Sequence, residues 1–312
     1  MKNSSTFFSV YTFKTLVFFC GLLIGIAADA QEIPAGDVVG NEIRFAAVGD
    51  TGRGNAGQNA IARQMLSVQQ QSKFDLILFL GDNIYNNGSP ADFGRKFTLP
   101  YQAFIENGTR LSGVIGNHDE RGKGEGGILL QQLMFGIGPK PYFSFLRENA
   151  SVEFFGLDSN AFLTTNLSPN ARAQLQWLDT SLGQSKAAWK IVLLHHPLYS
   201  SAKTHGWNSR DKDEMQAVRA AVEPILEKHK VRIVLAGHDH VYERLKPQNG
   251  VLYFVSGAGA EVRRGDLQTN SPFYQIGNDK ELSFMLFSVK PDAVRYWAIN
   301  SQGAFIDSGR IE

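Results

Sequence analysis

Two histidines separated by one residue close an apolar run in "IVLAGHDH", residues 233–240. Four more apolar runs end in polar residues: "FAAVGD" in Asp50, "LILFLGD" in Asp82, "LSGVIGNHD" in Asn117, His118 and Asp119, and "IVLLHH" in His195 and His196. Five of the seven histidines fall in three of these endings. Carboxylate and phenolate oxygens suit a hard, highly charged cation, whereas imidazole and amide donors suit a borderline divalent one. Asp50, Asp82, Tyr85, Asn117, His195, His238 and His240 together can therefore hold two metal ions. One carboxylate can bridge such a pair at roughly 3.5–4 Å, and the pair acidifies bound water and clamps phosphoryl oxygens. The chemistry expected is hydrolysis of a phosphate ester. Taken singly, each piece has an ordinary reading: a Gly-Asp after a strand is usually a turn, and a lone His195 could be a hydrogen-bonded core residue. The set is far more specific than its members.

Such residues need elements that carry them to one place. Strands are predicted at Glu42–Val48, Phe74–Leu80, "LSGVIGNHD", Tyr142–Leu146, Val152–Leu157, "WKIVLLHHP" and Val231–Leu235. Helices are predicted at Asn55–Gln71, at Pro90–Glu106, after the N-cap Ser168 with Pro169 in the first turn, and within Asn208–Lys230. "VLYFVSGAGA", "LSFMLFSV" and "AVRYWAI" make the last quarter strand-rich, and "RGKGEGG", Arg121–Gly127, reads as a flexible loop. Strand–helix alternation over three quarters of the chain predicts an α/β fold in one domain, residues 31–312, with the last strands able to complete a second sheet. Ligands of open α/β sheets bind beyond the carboxyl ends of the strands, where all five polar endings lie. Gly49, Gly81, Gly116 and Gly237 stand just before four of these endings, giving room for sharp turns and close approach. At His238-Asp239-His240 the backbone is expected to turn around something that both histidines hold.

Composition sets the bounds. The chain has 312 residues, 43% apolar and 20% charged, with a formal net charge of +1. Without a run of basic residues there is no electrostatic case for nucleic acid or an anionic membrane as partner. Lys2 and Lys14 precede the apolar stretch Leu16–Ala27, followed by "ADA" and Gln31. That stretch is shorter than the roughly 20 residues of a spanning helix. A signal peptide over residues 1–30, export to a secreted or periplasmic location and no stable membrane anchor are expected. Cys20, the only cysteine, lies in that segment, so the mature chain has no thiolate ligand, cysteine nucleophile or disulfide.

The series "GD…GDNIY…GNHD…VLLH…GHDH", with "VSGAGA" after it, resembles the metallophosphoesterase (calcineurin-like) signature in its purple acid phosphatase version. The likeness runs over about residues 42–260 and is greatest to the small, tartrate-resistant type. It implies a four-layer α/β fold, two central mixed sheets packed face to face and flanked by helices. It implies hydrolysis of phosphate monoesters by a metal-bound hydroxide at a dinuclear site, with a small phosphorylated compound as substrate. By motif, Asp50, Asp82, Tyr85 and His240 would hold Fe(III), while Asp82, Asn117, His195 and His238 would hold divalent iron, zinc or manganese. Tyr85 is the discriminating residue, since other metallophosphoesterases generally lack it. His118 and His205 would contact substrate and leaving group; His196 and Arg244 are pocket residues without an assigned role, and Asp119 either orients His118 or caps a turn. The mature chain lacks the cysteine pair of mammalian members, and Asp158–Pro169 is shorter than their repression loop, which argues against proteolytic activation. Phosphodiester or nucleotide hydrolysis on the same metal core is the alternative activity, and a non-catalytic phosphate-binding module the alternative class.

Overall fold

The computed structural model describes Met1, Ile26–Ala27 and residues 32–121, 129–147, 149 and 152–312. The expected signal peptide, Ile26–Ala27 and Met1 apart, and most of the Arg121–Gly127 loop lie outside the described residues.

In chain order the strands are β1 Ile26–Ala27, β2 Ile43–Val48, β3 Leu76–Leu80, β4 Arg110–Val114, β5 Phe143–Arg147, β6 Val152–Gly156, β7 Trp189–Leu193, β8 Ile233–Ala236, β9 Tyr242–Leu245, β10 Leu252–Ser256, β11 Tyr274–Asn278, β12 Ser283–Lys290, β13 Ala293–Asn300 and β14 Phe305–Ile311. The helices are α1 Ala56–Gln71, α2 Leu99–Glu106, the single turn α3 Asn117–Glu120, α4 Pro169–Gln184 and α5 Lys212–Lys228. One seven-stranded sheet has the order β1-β14-β13-β12-β2-β3-β4, and a second the order β11-β9-β10-β8-β7-β6-β5. In the first, β2, β3 and β4 are parallel; in the second, β6, β7, β8 and β10 are parallel.

The sheets pack face to face on an aromatic core. Phe45 stacks on Phe287 at 4.8 Å from one sheet, and Phe154 meets Phe45 edge-on at 5.1 Å from the other. The outer face of the first sheet is covered by α1 and α2 through Ile61, Met65 and Phe104. The outer face of the second is covered by α4 and α5 through Leu178, Leu182, Val218 and Val222. These are the expected four layers. Strands buried on both faces read as unbroken apolar runs, which is why β3 (LILFL) and β8 (IVLA) were legible.

Two helices differ from expectation. Pro90–Glu106 is a 3₁₀ turn at Pro90–Asp92, a wide π turn at Gly94–Thr98 and then α2. Pro100 cannot donate a backbone hydrogen bond and crowds the turn before it, so the chain widens there. The Lys96 carbonyl that such a bond would have used accepts from Gln58 Nε2 instead, at 2.6 Å. The helix expected within Asn208–Lys230 starts only at Lys212, because the preceding residues close a turn in which Ser209 N–H donates to Gly206 O at 3.0 Å.

Candidate metal centre

The parallel strands of both sheets point their carboxyl ends at one edge, and the loops that leave them carry every expected ligand. Asp50 follows β2, Asp82 and Tyr85 follow β3, and Asn117 and His118 open α3 after β4. His195 follows β7, and His238 and His240 follow β8. The first sheet thus delivers the oxygen donors and the second the imidazoles. Backbone bonds stitch the edge together: Gly49 N–H donates to Ser256 O at 2.8 Å, and Gly237 N–H to His195 O at 3.1 Å.

Three of the expected ligands lie in the left-handed region, Asp50 (φ 57°), Asp82 (φ 53°) and His238 (φ 73°). Side chains rarely occupy that region without a compensating role. It is also how the chain turns between His238 and His240. The glycines mostly serve close approach. A Cβ on Gly116 would lie 2.2 Å from Asp82 Oδ1, and one on Gly237 2.6 Å from Asp50 Oδ2.

The seven residues meet in two adjoining groups. In one, Tyr85 Oη donates to Asp50 Oδ1 at 2.9 Å and lies 2.9 Å from His240 Nε2, which is 3.5 Å from Asp50 Oδ1. In the other, His195 Nε2 lies 3.1 Å from Asn117 Oδ1, 3.2 Å from His238 Nδ1 and 3.4 Å from Asp82 Oδ1. Asp82 stands between them, since its carboxylate also acts on the Tyr85 phenol.

This donor set fits cations. His195 Nδ1 donates to Leu80 O at 2.8 Å, which leaves the lone pair on Nε2. That lone pair faces the half-buried Asn117 amide oxygen and the buried Asp82 carboxylate oxygen, an arrangement unfavourable unless positive charge lies between them. With protons alone, burial disfavours the His195 imidazolium, yet the Asp82 carboxylate overrides it and pushes the group up to about 10. Burial likewise opposes the Asp82 carboxylate, but His195 and His118 outweigh it and hold its pKa well below the ordinary value. Tyr85 behaves in the opposite sense. Burial, then Asp50 and Asp82, pushes its phenol far above the usual range, so only a strongly charged cation would draw off its proton. His238 is held neutral by burial and by the neighbouring histidines, as a ligand imidazole must be.

The remaining expected residues divide. His118 lies against Tyr85 at 4.4 Å between centroids, tilted by 48°, and its Nδ1 donates to Asn86 O at 2.7 Å. Its Nε2 lies 4.0 Å from Asp82 Oδ2, at the open side of the centre. The His205 ring lies on the His238 ring at 4.1 Å. His196 is buried beside His238 at 4.4 Å between ring centroids, with Nδ1 2.8 Å from Ser159 Oγ. Asp119 caps a turn: it accepts from the backbone N–H groups of Gly116, Asn83 and Ile84 at 2.8–3.1 Å and does not touch His118. Arg244 pairs across the two sheets. It lies in β9, where its Nε donates to Asp307 Oδ2 at 2.7 Å, a pairing across 63 residues that no local pattern announces.

Arg53 and Asp239 were not singled out from the sequence. The Arg53 guanidinium lies 3.8 Å over the Tyr85 ring and pairs with Glu261 at 2.7 Å. Asp239, fully buried and set between His238 and His240 in sequence, accepts from His205 Nδ1 at 2.9 Å. Its place inside "GHDH" was the available signal.

Two sheets that bring such a donor set to one edge define a phosphoesterase of the metallophosphatase fold. The calcineurin-like phosphoesterase family model matches residues 43–242. Tartrate-resistant acid phosphatase type 5 of Oryctolagus cuniculus is 32% identical over 246 residues, which cover 70% of this chain and 73% of that one. Purple acid phosphatase 7 of Arabidopsis thaliana is 26% identical over 297 residues, covering 87% and 86%. Among solved structures, purple acid phosphatase PPD1 from yellow lupin seeds superposes with a TM-score of 0.71 at 19% identity, over 86% of this chain and 53% of that one. GAP50, the anchor in the inner membrane complex of Plasmodium, does so with a TM-score of 0.73 at 17% identity, over 87% and 89%. At those identities the two structures share the fold. The chain belongs to the calcineurin-like phosphoesterase family, among its purple acid phosphatases, and is accordingly of the acid phosphatase class.

Proposed function

We propose that this protein hydrolyses small phosphate monoesters at a dinuclear Fe(III)–M(II) centre. Asp50, Asp82, Tyr85 and His240 would hold Fe(III); Asp82, Asn117, His195 and His238 would hold divalent iron, zinc or manganese, with Asp82 shared. The observation that carries this reading is Tyr85 Oη at 2.9 Å from both Asp50 and His240. A phenol there suits a trivalent ion better than a divalent one. When bound, the two cations would acidify water and draw electron density from the phosphoryl oxygens.

The chain's own residues do the rest. With Nδ1–H on Asn86 O, His118 Nε2 can donate to a phosphoryl oxygen or to the leaving oxygen only as the imidazolium, a form that burial disfavours. His205, lying on His238, can as the imidazolium protonate the departing alkoxide. Leu80 O fixes the tautomer of His195, and Asn86 O that of His118. Export through residues 1–30 to a secreted or periplasmic location belongs to the same proposal.

Metal analysis and a visible spectrum on protein purified without chelator test the centre. The expected result is about one iron with one further divalent ion per chain, and a tyrosinate-to-iron band. A colourless, fully active dizinc or dimanganese protein would overturn the Fe(III) assignment. Faster turnover of a bis-aryl than of a mono-aryl phosphate would move the substrate class to diesters.

A further inference from the structure

His205 sits on a loop, but the loop is tied down. Thr204 N–H and Oγ1–H both donate to Asp266 Oδ1, at 3.0 and 2.8 Å, and Lys203 N–H donates to Asp266 O at 2.8 Å. Gly206 N–H donates to Ala202 O at 3.0 Å and Trp207 N–H to Ser200 O at 3.0 Å. A Cβ on Gly206 would lie 2.4 Å from Ala202 O, so the loop closes on itself with no room for a side chain. The His205 imidazole is thereby laid on the ring of the expected ligand His238, tilted by 32°.

What orients the ring within that plane is Asp239. Its carboxylate is wholly buried and has two partners: Oδ1 accepts from His205 Nδ1 at 2.9 Å, and Oδ2 accepts from Ser200 Oγ. Ser200 Oγ in turn accepts from Ala202 N–H at 3.1 Å, which ties the carboxylate to the loop that carries His205. An ionised carboxylate has no proton to give, so His205 Nδ1 must be the protonated nitrogen and Nε2 the free one. Nε2, on the other side of the ring, lies 4.0 Å from Asp211 Oδ2, an exposed carboxylate. Arg263 Nη1 lies 3.3 Å from Nδ1 and, that nitrogen being a donor, stands beside the pair without competing for it. His118 is held differently, by the neutral Asn86 carbonyl.

We propose that Asp239 is the positioning residue for His205, holding its Nδ1–H and ring plane so that Nε2, free in the neutral ring, can take up a proton and, as the imidazolium, hand it to the leaving group of the substrate. The inference rests on the phosphatase reading above. The carboxylate sits behind the histidine and touches no reacting atom. Because it is threaded between His238 and His240, the turn that places two metal ligands also places the residue that aims the proton donor.

The test separates this role from a general structural one. In Asp239→Ala that keeps its metals and visible band, kcat on an alkyl phosphate should fall on the order of 10²-fold, the scale of lost proton transfer to a poor leaving group. KM should stay the same, and 4-nitrophenyl phosphate, whose leaving group needs no proton, should be turned over within about threefold of wild type. Asp239→Ala/His205→Ala should be no slower on the alkyl phosphate than His205→Ala alone, since the two act as a unit. Long-range ¹⁵N spectra of the diamagnetic zinc-loaded wild-type protein read the tautomer directly, even if Asp239→Ala fails to fold or sheds metal; Nδ1–H is expected for neutral His205. An Nε2–H tautomer, an equal loss on both substrates, or additive losses in the double variant would overturn the proposal. Failure of the phosphatase reading would look different: wild-type protein would release phosphate from neither substrate.

Discussion

At the scale of single residues, Tyr85 separates this centre from a generic dimetal site, and its surroundings set its behaviour. Left to protons, the phenol would stay neutral between Asp50 and Asp82. Tyr85→Phe should abolish the visible band and leave the Asp82–Asn117–His195–His238 group able to bind one divalent ion, as metal analysis and absorption would register. Arg53 gives a graded version of the same test. Its guanidinium, 3.8 Å over the ring, favours negative charge there by about 0.5–1 kcal/mol. Arg53→Ala should retain iron but move the band to longer wavelength, because the phenolate is less stabilised. An unmoved band would mean the Glu261 pairing, and not the ring, is what places Arg53.

At the scale of elements, the strands that end in ligands were legible because both faces are buried and apolar, and the break into Asp, Asn or His was abrupt. β9 was not. Its sequence YERL holds Glu243 and Arg244, which no apolar-run reading admits to a sheet interior. Arg244 is buried because Asp307 on β14 meets it, and Glu243 because Ser201 N–H donates to its Oε2 at 2.9 Å. Those partners are set by tertiary structure alone, as are the left-handed turns at Asp50, Asp82 and His238. Burial raises the Glu243 carboxyl to about 7. The folded state therefore holds this proton at pH values where the unfolded chain has released it. Stability from this group is present below the unfolded value of 4.5 and lost as pH rises to about 7. Glu243→Gln should gain on wild type by up to about 3 kcal/mol between pH 4.5 and pH 8, read as the difference in denaturation free energy. A difference that does not change with pH would show the carboxyl to be ionised throughout. Gly81 tests the turn after β3. Its φ is +89°, and a Cβ would lie 2.5 Å from His195 Nδ1. Gly81→Ala should cost about 1–3 kcal/mol through the backbone alone. It should also weaken zinc binding by breaking the bond from His195 to Leu80 O, whereas Gly108→Ala, at a positive φ with nothing within 4 Å, should cost stability without touching metal affinity.

At the scale of the whole molecule, the centre is a seam. The expected oxygen donors come from the sheet of β2, β3 and β4 and the imidazoles from the sheet of β7 and β8; elsewhere the two sheets meet through aromatic packing and the Arg244–Asp307 pair. A buried cluster of carboxylates and imidazoles is a cost to folding unless cations neutralise it, so the metals and the sheet-to-sheet contact at this edge must be coupled. A site filled at a thousand times its dissociation constant adds about 4 kcal/mol, or roughly 10 °C in the unfolding midpoint of a domain this size. Chelation should lower the midpoint by about that much, and readdition of iron with zinc should restore it. The loss should be local before it is global. Amide protection should fall first at the stitches Gly49 to Ser256, Asp50 to Gly81 and Gly237 to His195. It should hold at the Val289–Val294 pair, which closes the β12–β13 hairpin at the opposite end of β2. Uniform loss along the strands would mean that the metals stabilise the molecule as a whole and do not act as a clasp at one edge.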